Sequence, residues 1–162
     1  MKLLTRDAES LTFELDRRER ELLAFLLGRY PALDPSYHQS AAPNDRDALA
    51  EAQQMLTESM TAEQQENRRR AAAFVRTRLT VPAPPAPGSP APSRLSLRIT
   101  LTEVDWLLRV VNDVRVGCWV RLGCPEEDAL RAPMLAARNV TDYTAMELGG
   151  LVQSLLLAAL EA

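Results

Sequence analysis

The 162 residues, 18.0 kDa in all, suffice for one domain with a real core. With 46% hydrophobic and 25% charged residues, the chain reads as soluble and globular rather than disordered. A net charge of −3 and a pI near 5.3 disfavour broad binding to nucleic acid or anionic membranes, and 23 Ala and 26 Leu against 5% aromatic residues favour helix packing over β-sandwich layers.

Leu11, Phe13 and Leu15 alternate with Thr12 and Glu14 beyond a polar turn that follows Lys2–Leu4, which predicts a hairpin with one buried face. Asp16 with Glu19 forms a capping-box signature, and Leu22, Leu23, Leu26 and Leu27 stripe the helix that follows until Gly28. Residues 31–44 read as a loop. Asp45 is placed as the cap of a second helix to about Ser59, and Thr61 with Gln64 as the capping box of a third reaching Leu79. Within it, Arg68-Arg69-Arg70 fans over most of a turn, so a solvated face accounts for it better than an anion or nucleic-acid site.

Residues 81–93 hold six prolines and stay extended over roughly 40 Å, a flexible excursion within one domain spanning 1–162. Leu95, Leu97 and Ile99 alternate again and add a strand to the hairpin across that excursion. Thr102 with Asp105 is read as the cap of a long helix from Glu103 to Leu122, stopped by Gly123, with Arg109 and Asp113 an exposed pair on its outer side. Cys124-Pro125-Glu126-Glu127-Asp128 has the makings of a helix start. The final helix begins near Thr141–Thr144, with Thr144 and Glu147 as an internal cap. The predicted fold is mainly α with a small antiparallel sheet (α+β), a helical bundle packed with the hairpin and one further strand.

Chemistry-bearing motifs are sparse. Cys118 and Cys124 lie on different helix faces and are expected as free thiols, and His38 is the single histidine, so zinc sites and His-based triads lack their usual parts. No Gly-rich phosphate loop occurs, and no metal or cofactor is expected. Asn139-Val140-Thr141 matches a glycosylation sequon, which without a secretory signal is put down to chance. The greasy run Leu148–Leu160 is short of the about 20 residues that span a bilayer, so the chain is expected in the cytoplasm.

One residue stands out. Arg115 falls amid Val104, Leu107, Leu108, Val111, Cys118 and Leu122 on the inner face of the long helix, where leucine is commoner. The expectation is a buried ion pair with Glu19, Glu147 being the runner-up partner, while Asn112, Arg121 and Tyr143 complete a candidate site for a carboxylate or phosphate. In the last helix, Gly150, Ser154 and Ala158 repeat every four residues, and the back of the long helix shows Trp106, Val110 and Val120. These patches either meet inside the monomer or form a surface for an oligomer or protein partner.

The capped entry Glu19-x-x-Leu22-Leu23, the stretch Asn112-Asp113-Val114-Arg115 followed by Arg121-Leu122-Gly123, and the Leu-rich closing helix together resemble a bacterial domain-of-unknown-function family, number two thousand and seventeen. That resemblance implies a cytosolic, mostly helical protein with no established activity, encoded near an adaptor of the Clp protease, and hence a hint of regulated proteolysis. The reading is a non-catalytic interaction or adaptor protein, with a homodimer as one form it can take; the alternative is a small-anion or enzymatic site around Arg115.

Overall fold

Asp7 makes the first turn. Its carboxylate accepts from the amides of Glu9 and Ser10 and from the Ser10 hydroxyl, which holds its pKa below the ordinary aspartate value. The turn joins β1 (Lys2–Arg6) to β2 (Ser10–Asp16) in the computed structural model, which describes residues 1–37, 46–80, 94–125 and 139–162. β3 (Arg94–Thr100) pairs antiparallel with β2, giving the order β1-β2-β3. Phe13 sits opposite Leu97 and Leu11 opposite Ile99, so the alternation places all four, with Leu15, in the core.

Helix α1 (Arg17–Gly28) starts at the predicted capping box, with Asp16 accepting from the Glu19 amide and Glu19 reaching back to the Asp16 amide. Leu23, Leu26 and Leu27 are buried beneath it. A cis bond between Tyr30 and Pro31 and a short 3₁₀ turn (Pro35–Tyr37) follow.

The predicted second and third helices are one. Helix α2 runs unbroken from Arg46 to Phe74 and ends in a π turn over Val75–Leu79. Thr61 does not cap; its hydroxyl bonds the carbonyl of Thr57 one turn back, as that of Thr57 bonds Gln53. The Gln64 amide donates instead to Leu33 in the loop. Ala, Gln and Glu dominate this stretch and no Gly or Pro interrupts it, so propensity carries the helix through.

Helix α3 (Leu101–Arg121) begins two residues earlier than expected. Thr100, the last residue of β3, is its cap, with Glu103 as the reciprocal partner. Gly123 stops it at φ +86°, and Cys124 follows at +54°. Helix α4 (Val140–Glu161) packs along α3, burying Ala145, Gly149, Val152, Leu156 and Ala159. Thr144 and Glu147 lie inside it rather than at a cap. The core draws on the sheet and on α1 to α4 together, so the fold is mainly helical with a three-stranded antiparallel sheet. His38, Asp45, the 81–93 excursion and the helix start beyond Pro125 lie outside the described residues.

Candidate functional site

Arg115 is exposed, which overturns the buried pair with Glu19. Two local facts explain the difference. Glu19 is already engaged, by the Met1 amine and by the α1 cap. The stem of Arg115 meanwhile lies across consecutive glycines of α4: a Cβ built on Gly149 would sit 3.2 Å from the Arg115 Cβ, and one on Gly150 would sit 4.0 Å from its Cδ. A double glycine thus forms a trough that carries the aliphatic stem over α4 and delivers the guanidinium to solvent.

The head group emerges in an open groove of about 650 Å³ between α3 and α4. Val116 and Trp119 line it on the α3 side, with Met146, Glu147, Gly150 and Leu151 opposite. Glu147, the second choice as partner, is exposed here too, and neither it nor Arg115 makes an ion pair among the described residues. One cation and one anion therefore face the same apolar groove, each free.

The other candidates scatter. Asn112, one turn from Arg115, accepts a hydrogen bond from the Gln153 amide at 3.3 Å. Tyr143 is half-buried and packs on the core. Arg121 turns to the opposite flank, donating to the Ala32 carbonyl at 3.1 Å and reaching Asp142 at 3.3 Å. Asp142 also pairs with Arg29. This knot ties the end of α1 to the facing ends of α3 and α4, and it encloses Cys118, whose Sγ lies 3.2 Å from the Arg121 guanidinium. Burial pushes the Cys118 thiol above its ordinary range, with Arg121 pulling the other way, so the sulfur remains protonated at neutral pH. Cys118 and Cys124 are both free.

Trp106 and Val110 are buried, which removes them as surface candidates. The second half of α2 covers that side of α3: Asn67 accepts from the Trp106 indole at 2.9 Å, Phe74 packs on its ring, and the Arg70 guanidinium stands 4.4 Å from its centroid. That use of Arg70 also breaks up the triple-arginine run. Val120 is half-buried beside the Pro31–Tyr37 loop. Gly150 lines the groove, Ser154 and Ala158 are exposed, and the Ser154 hydroxyl bonds the Gly150 carbonyl.

Sequence reasoning missed Gly117 and misplaced Asp113. The Asp113 carboxylate accepts from the amides of Ala32 (2.8 Å) and Leu33 (3.3 Å), holding the loop against α3, while Arg109 pairs with Asp105 instead. Gly117 leaves the space that this loop fills. Nothing within α3 signals a loop more than eighty positions away.

The outer surface of α4 exposes large apolar side chains: Leu151 is 58% exposed, Leu157 50% and Val140 47%, with Trp119 of α3 at 39% beside the groove. By length and composition alone α4 could cross a membrane, unlike the shorter run noted in the sequence. Among the described residues no group of three His, Cys, Asp or Glu could hold a metal ion. The chain matches no known family model, no curated protein and no solved structure.

Proposed function

We propose that this chain is a non-catalytic protein-interaction module of the cytoplasm, working through the outer face of the α3/α4 pair. The observation that carries this reading is the exposure of Leu151 and Leu157, with Trp119 alongside, on a helix that is apolar on nearly every side. Large side chains left in water at such a concentration cost roughly 25 cal/mol per Å² that a partner would recover. The alternative, a small-anion site at Arg115, fares worse because Glu147 shares the groove and cancels the charge an anion would need. Regulated proteolysis is the setting that the family resemblance suggests for such a module.

Placing the photo-crosslinking residue p-benzoylphenylalanine at position 151, and separately at the exposed Glu66 of α2, tests the reading in living cells. A discrete protein adduct is expected from position 151, lost when Leu157→Asp is added, and none from position 66. Adducts of the same pattern at both positions, or none at 151, would overturn it.

A further inference from the structure

We infer that the partner seated on this face is a second copy of the same chain, joined about a twofold axis through the groove, so that Arg115 of each copy meets Glu147 of the other; the inference rests on the interaction reading above. The charge pattern selects this occupant. The groove carries a cation rooted in α3 and an anion rooted in α4, both exposed, and both without an ion pair among the described residues. A surface that pairs with itself about a twofold must be self-complementary, each patch facing its own counterpart. An axis running between the Arg115 and Glu147 head groups satisfies that condition, because the rotation brings each of them opposite the other. A uniformly charged partner gains nothing from such balance, since whatever attracts it to one wall repels it from the other.

The remaining surface fits the same geometry. Ser154 and Ala158 are small and exposed and leave room for a facing chain, and the Ser154 hydroxyl is already satisfied by the Gly150 carbonyl, so it enters the contact without an unmade hydrogen bond. Leu151 and Trp119 flank the charged pair and supply the apolar area. Arg115 is held over its glycine trough before any contact forms, so little side-chain freedom is lost when it pairs.

The test is a charge-swap series on the full chain by sedimentation equilibrium, with circular dichroism to establish that each variant is folded. Wild type is expected at twice 18.0 kDa in the upper part of a micromolar concentration series. Arg115→Glu and Glu147→Arg each replace two attractive contacts by two repulsive ones and should raise the dimer dissociation constant about tenfold or more. The double variant should regain the wild-type constant, and mixing the two single variants should give a heterodimer, because one chain then carries two glutamates and the other two arginines. A monomeric wild type, or single reversals that leave the constant unchanged, would overturn the inference. Crosslinked adducts from position 151 whose partner is another protein would overturn it too while leaving the interaction reading intact; sedimentation with neutral lipid vesicles, lost in Leu151→Asp, would assign the face to a membrane and overturn both.

Discussion

Replacing Gly117 by alanine should destabilise the fold, although alanine is the better helix former. A Cβ at this position would stand 2.4 Å from the Ala32 carbonyl carbon, 2.6 Å from its oxygen and 2.7 Å from its Cβ. The obstacle is backbone, and it is held in place: Asp113 accepts from the Ala32 and Leu33 amides, Arg121 donates to the Ala32 carbonyl, and Gln64 donates to that of Leu33. Moving the loop by the ångström needed adds overpacking strain of about 1–3 kcal/mol. Weakening those hydrogen bonds costs about 1 kcal/mol for each one lost. The helix-propensity gain of about 1 kcal/mol offsets about one such bond, leaving a net loss of about 1–3 kcal/mol. Gly150 is the control, because a Cβ there meets nothing closer than the Arg115 Cδ at 4.0 Å, so Gly150→Ala should stabilise by up to about 1 kcal/mol. Urea unfolding at low protein concentration, where association contributes nothing, measures both. Equal effects of the two substitutions would refute the claim that the loop is pinned against α3.

Asp142→Asn removes the charge that Arg29 and Arg121 share, and a loss of about 1–2 kcal/mol in urea unfolding is expected because all three groups keep some contact with water. Thiol titration of the native protein at neutral pH should modify Cys124 quickly and Cys118 only after unfolding, giving one fast equivalent and then two; two fast equivalents would refute the burial of Cys118. The Cys118 pKa is raised in the folded state, so its contribution to stability is full below the ordinary thiol value of 9.0 and is lost as pH rises toward the folded value; Cys118→Ala should remove that part of the alkaline loss in pH-dependent unfolding. Tyr30, raised by burial from 10.0, should sustain a later alkaline loss that Cys118→Ala leaves in place.

What could be read from the sequence is what short-range chemistry determines. The Asp16–Glu19 box, the alternation of Leu11, Phe13 and Leu15, and the extra strand around Leu97 all follow from neighbours within a few residues or from a strict period of two. Thr61-x-x-Gln64 failed for an equally local reason. A threonine inside a helix has the carbonyl one turn back as an alternative partner, and without a breaker nearby it takes that one. Arg115 misled differently. The helical wheel places a Cα, whereas the fate of a long side chain depends on what lies under its stem, and that is a glycine pair thirty-odd residues further on. Gly117, Asp113 and the Arg29–Asp142–Arg121 knot share this property: each is defined by a partner on another element.

A single substitution separates the stem of Arg115 from its charge. Arg115→Leu keeps an aliphatic stem over Gly149 and Gly150 and replaces the guanidinium with more apolar surface in a groove that already holds Val116, Trp119, Met146 and Leu151. Since the head group makes no ion pair among the described residues, unfolding stability should change by no more than about 0.5 kcal/mol. Association should change in kind. The proposed dimer contact places charge pairs near the surface, so its dissociation constant should rise between low and high salt, where the screening length falls from about 30 Å to about 3 Å. With leucine, Glu147 of the facing copy has no cation to meet, and screening should no longer weaken the dimer. A salt-dependent wild type beside a salt-indifferent variant is the expected pair of results in sedimentation. Identical salt responses would show that the guanidinium contributes nothing to recognition and that the apolar face associates without regard to charge.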